Sequence, residues 1–234
     1  MSKPRPETLE EAFARCCDMD ASLAERLQAF ADAVGHWSPA FQEAVDRLVG
    51  RLKEHEVGKT SPRPGETMPP FVLPDENGRL VSLDAMLEKG PMAIIFHRGH
   101  WCPYCRINTA ALSKAQEEIM AEGGQVVAIM PDRAQFAAEL KSESKAPFPI
   151  LADIDNGYAL SLNLVFWVGG EMEQLMSAAG WDISSFQGNN SWMLPIPATF
   201  VAATDGRIRA RFVDPDYRKR MAVEDLLAAL KTAH

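Results

Sequence analysis

At 234 residues, 47% of them hydrophobic, the chain is long enough to bury a sizeable core as one domain plus an extension. Its 24 basic and 32 acidic side chains leave a net charge of −8 with no lysine- or arginine-rich run, which excludes nucleic acid as an expected partner. No apolar run reaches the length of a membrane span and the first residues lack the apolar core of a secretory signal, so the expectation is a cytoplasmic protein with no membrane partner.

Residues 7–56 read as three helices. Leu9, Phe13 and Cys17 recur at helical spacing, as do Leu23, Leu27 and Phe30, then Phe41, Val45, Leu48 and Leu52. Asp20 is the expected cap of the second helix, and Ser38-Pro39 opens the third. An N-terminal helical extension over 1–56 is expected, then a Pro- and Gly-rich linker over 57–70 and a second domain over 71–234. That domain alternates strand and helix signals. A hairpin turns at Asp75-Glu-Asn-Gly, and strand 92–97, helix 103–121, strand 125–130 and helix 132–142 follow. After the apolar segment at 148–151 come a helical region over about 156–179, strands 198–202 and 207–213, and a last helix over 223–230. The fold class is α/β, a mixed sheet flanked by helices.

Trp101-Cys102-Pro103-Tyr104-Cys105 sits where the strand signal gives way to a helix. With Cys102 at the cap and Pro103 at the first helical position, the helix N-terminus favours thiolate over thiol, and Cys105 lies one turn in, within disulfide reach. In a reducing compartment such a close pair reads as a thiol–disulfide centre. A zinc or iron–sulfur site completed by His97 and His100 is the weaker alternative, since no second Cys-x-x-Cys or Cys/His pair follows. No cofactor or metal is expected. Trp101 should shield the sulfurs and offer a flat surface to a partner. His100 is the better proton-transfer candidate of the two histidines, and Arg98 and Arg106 flank the motif as cations able to lower a thiol pKa or hold an oxyanion. Pro197, before the apolar run Ala198–Val201, is expected to follow a cis bond and to face the sulfurs. Cys16 and Cys17, about 100° apart around a helix, read as small apolar filler. The turn Asp214-Pro-Asp-Tyr-Arg-Lys-Arg shows no direct chemistry.

Phe96-His-Arg-Gly-His-Trp-Cys-Pro-Tyr-Cys-Arg, Pro195-Ile-Pro-Ala-Thr-Phe-Val and Gly65-Glu-Thr-Met-Pro-Pro-Phe-Val-Leu-Pro-Asp together resemble peroxiredoxin-like proteins. More narrowly, the chain resembles the bacterial branch of the alkyl hydroperoxide reductase/thiol-specific antioxidant family that carries Trp-Cys-Pro-Tyr-Cys. The resemblance runs from about Val57 to the C-terminus and implies a thioredoxin-like fold. The family's pattern Pro-x-x-x-Thr-x-x-Cys, counted back from Cys105, places Arg98 at the proline and Cys102 at the threonine. Pro197 stands where peroxiredoxins carry an arginine, and Phe96 where thioredoxins carry a buried carboxylate. Two enzymatic cycles follow. In one, Cys105 attacks a hydroperoxide and Cys102 resolves the sulfenic acid, with a thioredoxin or glutathione system as external reductant; in the other, Cys102 attacks a substrate disulfide. A redox-responsive or metal-binding module without turnover is the alternative of another class. A homodimer stays open.

Overall fold

The computed structural model describes residues 7–234; residues 1–6 of the expected extension lie outside the described residues. Three helices come first: α1 (Leu9–Asp18), α2 (Leu23–Trp37) and α3 (Pro39–Glu54). Thr8 with Glu11 caps α1, and Ser22 with Glu25 caps α2, each pair satisfying orphan N–H groups in both directions. Ser22 takes the place expected for Asp20, because only Ser22 has the glutamate three residues on. Ser38 caps α3 with Pro39 at its first position.

Residues 55–71 carry turns and a single bridge, Thr67 to Arg207. The hairpin of β1 (Val72–Pro74) and β2 (Leu80–Ser82) follows, its turn held by Asp75 Oδ1, which accepts from the N–H groups of Asn77 and Arg79, both at 2.8 Å. Then come α4 (Leu83–Leu87), β3 (Met92–Phe96), α5 (Pro103–Lys114), α6 (Gln116–Ala121), β4 (Gln125–Met130), α7 (Ala134–Glu143), β5 (Ile150–Ala152) and α8 (Gly157–Ser161). The chain closes with β6 (Val165–Trp167), α9 (Gly170–Ala178), α10 (Ile183–Gln187), β7 (Met193–Pro195), β8 (Ala198–Ala202), β9 (Ile208–Val213) and α11 (Val223–Lys231). The helix expected over 103–121 breaks at Ala115 into α5 and α6. The helical region expected over 156–179 holds a strand, β6, because Val165-Phe-Trp finds an antiparallel partner in β7.

Five strands form the central sheet in the order β5-β4-β3-β8-β9. β3 is parallel to β4 and antiparallel to β8, and all five of its residues are buried, which is why it reads as an unbroken apolar run. One face packs Ile94, Phe96, Ile129 and Phe200 against Leu83 and Tyr158; the other packs Ile95, Ala128 and Val201 against Leu112, Ile119, Leu140 and Leu230 of the covering helices.

A third apolar cluster joins α1–α3 to the head of α5. Phe30 of α2, buried, meets the Tyr104 ring edge-on at 5.2 Å, and burying such a side chain contributes about 2–3 kcal/mol. Arg26, also buried, donates to the carbonyls of Cys16 at 2.7 Å and Cys17 at 2.6 Å, and Lys114 donates to the Cys17 carbonyl at 2.9 Å. Two orphan carbonyls at the end of α1 are thus satisfied by α2 and α5, fixing the helices on the domain.

Candidate active site

Where β3 ends, the chain turns through His97-Arg98-Gly99-His100-Trp101 and enters α5. Gly99 has φ +146°, and a Cβ there would stand 2.4 Å from Trp101 Nε1 and 2.7 Å from each Asp132 carboxylate oxygen, so only glycine lets this loop close. Cys102 is the N-cap of α5 and Pro103 its first residue, leaving Cys105 one turn in. Both sulfurs belong to free thiols; Cys102 is 1% exposed and Cys105 0%.

The two thiols are not equivalent. Cys105 Sγ accepts from the Arg98 backbone N–H at 3.4 Å and from Arg220 Nη2 at 3.3 Å. Burial pushes its thiol up, but the hydrogen bond from Cys102, the Arg220 guanidinium and His97 together hold it well below the usual thiol range. Cys102 goes the other way. Burial first, then the hydrogen bond it gives to Cys105 and the charge there, push it well above that range, with Arg98 and Arg220 offsetting only part. These contacts favour the thiolate on Cys105 and leave Cys102 the thiol that donates to it.

His97 is fully buried behind this pair. Thr109 Oγ1 donates to the Cys105 carbonyl at 2.9 Å, so its lone pair is what meets His97 Nε2 at 3.1 Å, and Nε2 carries the proton. The His97 side chain also faces the Cys105 sulfur, where its hydrogen bond and its charge help to hold that thiol low. Asp132, just past the end of β4, accepts the His100 N–H at 2.7 Å on Oδ2, while Oδ1 has no partner among the described residues. Burial raises its pKa to about 7, the His100 N–H lowers it and the charge on Cys105 adds to the rise. A buried carboxyl therefore exists here, supplied by β4 rather than by the position of Phe96.

The other expected site residues divide. Arg98 is 3% exposed, with its guanidinium 3.7 Å from the Tyr217 ring centre and 4.8 Å from that of Trp101. Trp101 is 8% exposed, tilted against Trp181, and lines the same cleft as Cys102. Arg106 points away from the sulfurs, pairing with Glu143 at 2.7 Å and capping the Phe13 ring at 4.5 Å. His100 Nε2 likewise meets Glu143 at 3.1 Å, with its ring stacked on Phe136. Of the two histidines weighed as metal ligands, His97 lies between Thr109 and Cys105, and His100 meets Glu143. No peptide bond among the described residues is cis, so the Ile196–Pro197 bond is trans, contrary to expectation. The chain runs extended from β7 straight into β8, with Ile196 N–H on the Leu164 carbonyl at 2.7 Å, and no reversal is needed there.

Arg220 and Asp132 are the functional candidates that motif reading misses. Arg220 lies in the turn that shows no sequence chemistry, anchored on the Lys219 carbonyl at 2.7 Å and on that of Tyr217. Asp132 carries one usable signal, a carboxylate just past the carboxyl end of a strand with a parallel neighbour on each side.

In front of Cys102 lies a cleft of about 1200 Å³, walled by Phe13 and Phe30 of the N-terminal helices, by Trp37, Met176 and Trp181, and by Arg98. Cys102 lines it; Cys105 sits behind.

The chain is 33% identical to the chloroplastic peroxiredoxin Q of Sedum lineare over 92 residues, 39% of this chain and 49% of that protein. Against the thiol-disulfide oxidoreductase ResA of Bacillus subtilis (strain 168) it is 24% identical over 153 residues, 65% of this chain and 68% of the other. It spans about half the length of the plant relatives it matches. Among solved structures it is similar to peroxidoxin BcpB of Mycobacterium tuberculosis, with a TM-score of 0.57 at 19% identity over 74% of this chain and 98% of that one. Peroxiredoxin Q of Xanthomonas campestris gives 0.53 at 15% identity over 70% and 92%. These likenesses show a thioredoxin-like fold. The AhpC/TSA family profile matches residues 64–211, from ahead of β1 into β9, and the chain belongs to that family.

Proposed function

We propose that this chain is a thiol peroxidase in which Cys105 attacks a hydroperoxide and Cys102 resolves the product. The observation that carries this reading is the placement of Arg220 and the Arg98 N–H on the Cys105 sulfur, two donors that stabilise a thiolate there and that also suit a departing oxygen. The Cys105 thiolate attacks one peroxide oxygen; the S–O bond forms, the O–O bond breaks and the alkoxide or hydroxide leaves with a proton that His97 is placed to return. Cys102 thiol then condenses with the sulfenic acid, forming the S–S bond and releasing water. An external thiol restores both cysteines. A cytoplasmic setting, where thiols are kept reduced, suits this cycle.

A second reading has Cys102 attack a substrate disulfide. What favours it is that Cys102, not Cys105, lines the cleft, and the similarity to ResA is in keeping with it. Peroxide consumption and insulin reduction, measured side by side on wild type, Cys102→Ser and Cys105→Ser, separate the two. The peroxidase reading expects wild-type peroxide turnover, dimedone trapped on Cys105 in Cys102→Ser, and no trapping in Cys105→Ser. Insulin reduction in wild type with no sulfenic acid on either cysteine would transfer the assignment to disulfide exchange.

A further inference from the structure

The cleft in front of Cys102 is built largely by residues ahead of the stretch that matches the family, since Phe13, Phe30 and Trp37 all precede residue 64. These helices lie across α5 itself, with Phe30 on Tyr104 and Phe13 on Arg106, so the surface around the cap cysteine is covered. Once the Cys102–Cys105 disulfide has formed, its reductant must attack the sulfur that faces the cleft, which is Cys102, and must do so inside a walled space. A folded carrier presenting an exposed thiol on a flat surface meets α1 and α2 first.

Arg98 adds a second, independent observation. It lines the cleft beside Cys102, is 3% exposed, has no carboxylate partner among the described residues, and its Nε has no hydrogen-bond partner. Aromatic faces hold the guanidinium plane and Tyr217 takes one of its hydrogen bonds, leaving Nε, which has no partner among the described residues, to turn toward an anion. A buried cation without a carboxylate, on the wall of a cleft that ends in a sulfur, is matched by a small molecule carrying both a thiol and a carboxylate.

We infer that the recycling reductant is a low-molecular-weight thiol bearing a carboxylate, seated under α1 and α2 with its acid group on Arg98, rather than the thiol of a folded carrier protein. This rests on the dithiol cycle proposed above and specifies its second half. The reductant's thiolate attacks Cys102 Sγ, the protein S–S bond breaks, and Cys105 leaves as the thiolate that Arg220 stabilises. A second thiolate attacks the reductant's sulfur in the mixed disulfide, releasing Cys102, which takes up a proton, and the oxidised small disulfide. Two small thiols lose two electrons and the protein disulfide gains them.

The test uses full-length protein oxidised with diamide, so that it does not depend on peroxide chemistry. Its reduction is followed at equal thiol concentration with glutathione, glutathione diethyl ester and thioredoxin, the glutathione and thioredoxin arms kept reduced by their reductases and NADPH. Glutathione should outpace thioredoxin and, at equal thiolate, its carboxylate-free ester by about ten-fold, the worth of one charge-assisted hydrogen bond. Arg98→Met should erase the preference for glutathione over the ester, and Arg98→Lys should restore part of it. Faster reduction by thioredoxin, or equal rates with glutathione and its ester on wild type, would overturn the inference. Failure of peroxide to produce the disulfide at all would instead strike the peroxidase reading and leave this result standing.

Discussion

Arg220 Nη2 reaches Cys105 Sγ across 3.3 Å, tying the turn after the last strand to the first turn of α5. Pro197 stands where the resemblance expects an arginine, and here a cation from a different part of the chain reaches the Cys105 sulfur. Removing it should be felt directly. In Arg220→Met the Cys105 thiol should titrate about 1–2 pH units higher by thiolate absorbance, with a comparable loss of rate against peroxide at neutral pH. Arg220→Lys should recover part of both. An unmoved titration would show that the Arg98 N–H and the helix N-terminus suffice.

The depressed Cys105 ionisation fixes a pH dependence. Because its folded value lies well below that of the free thiol, the thiolate persists as pH falls through the ordinary thiol range, and the peroxide rate should stay flat from about pH 9 down to neutrality. The same ionisation contributes stability above the unfolded thiol's pKa and loses it as pH falls through the folded one. A rate that climbs steadily up to pH 9 would contradict the assignment.

Asp132 behaves oppositely. Its carboxyl is raised to about 7, so its contribution to stability is fully present below the unfolded value near 4 and is lost as pH rises through 7, by up to about 4 kcal/mol. Asp132→Asn, neutral at every pH, should therefore gain on wild type in thermal denaturation as pH goes from 5 to 8. Parallel melting curves for the two proteins across that range would mean the carboxyl ionises freely.

Phe30→Ala tests the roof. Loss of the ring from its contact with Tyr104 should cost about 3–5 kcal/mol in urea unfolding. In a Cys105→Ser background, where no neighbouring thiolate holds the Cys102 proton, it should also open Cys102 to iodoacetamide. If alkylation of Cys102 is no faster, α2 does not control access.

How much of this was legible depends on whether the cause is local. The strand-to-helix junction at Cys102, the proline at the first helical position and the alternation of strands and helices all follow from neighbouring residues, and the structure has them where the sequence places them. Arg220 is 115 residues from Cys105 and Asp132 is 32 residues from His100. Their roles come from topology, because the sheet order brings the ends of β3, β4 and β9 together, and no motif spans such distances. β6 was missed for the same reason: three residues are too few to show a period, and its partner β7 lies beyond two helices. Arg106 and His100 read well by proximity to the motif but turn to Glu143, a surface competitor 37 residues from Arg106.

The seating of both sulfurs on one turn of α5 bears on survival under oxidative load. A sulfenic acid on Cys105 has its resolving thiol already in place, so disulfide closure needs no unwinding and proceeds at the high effective concentration of a pre-oriented pair. A second peroxide has to win against that closure before it can carry the sulfur on to the sulfinic level. On the proposed cycle the expected outcome is turnover at peroxide concentrations that would irreversibly inactivate an enzyme obliged to unfold a helix between its two steps.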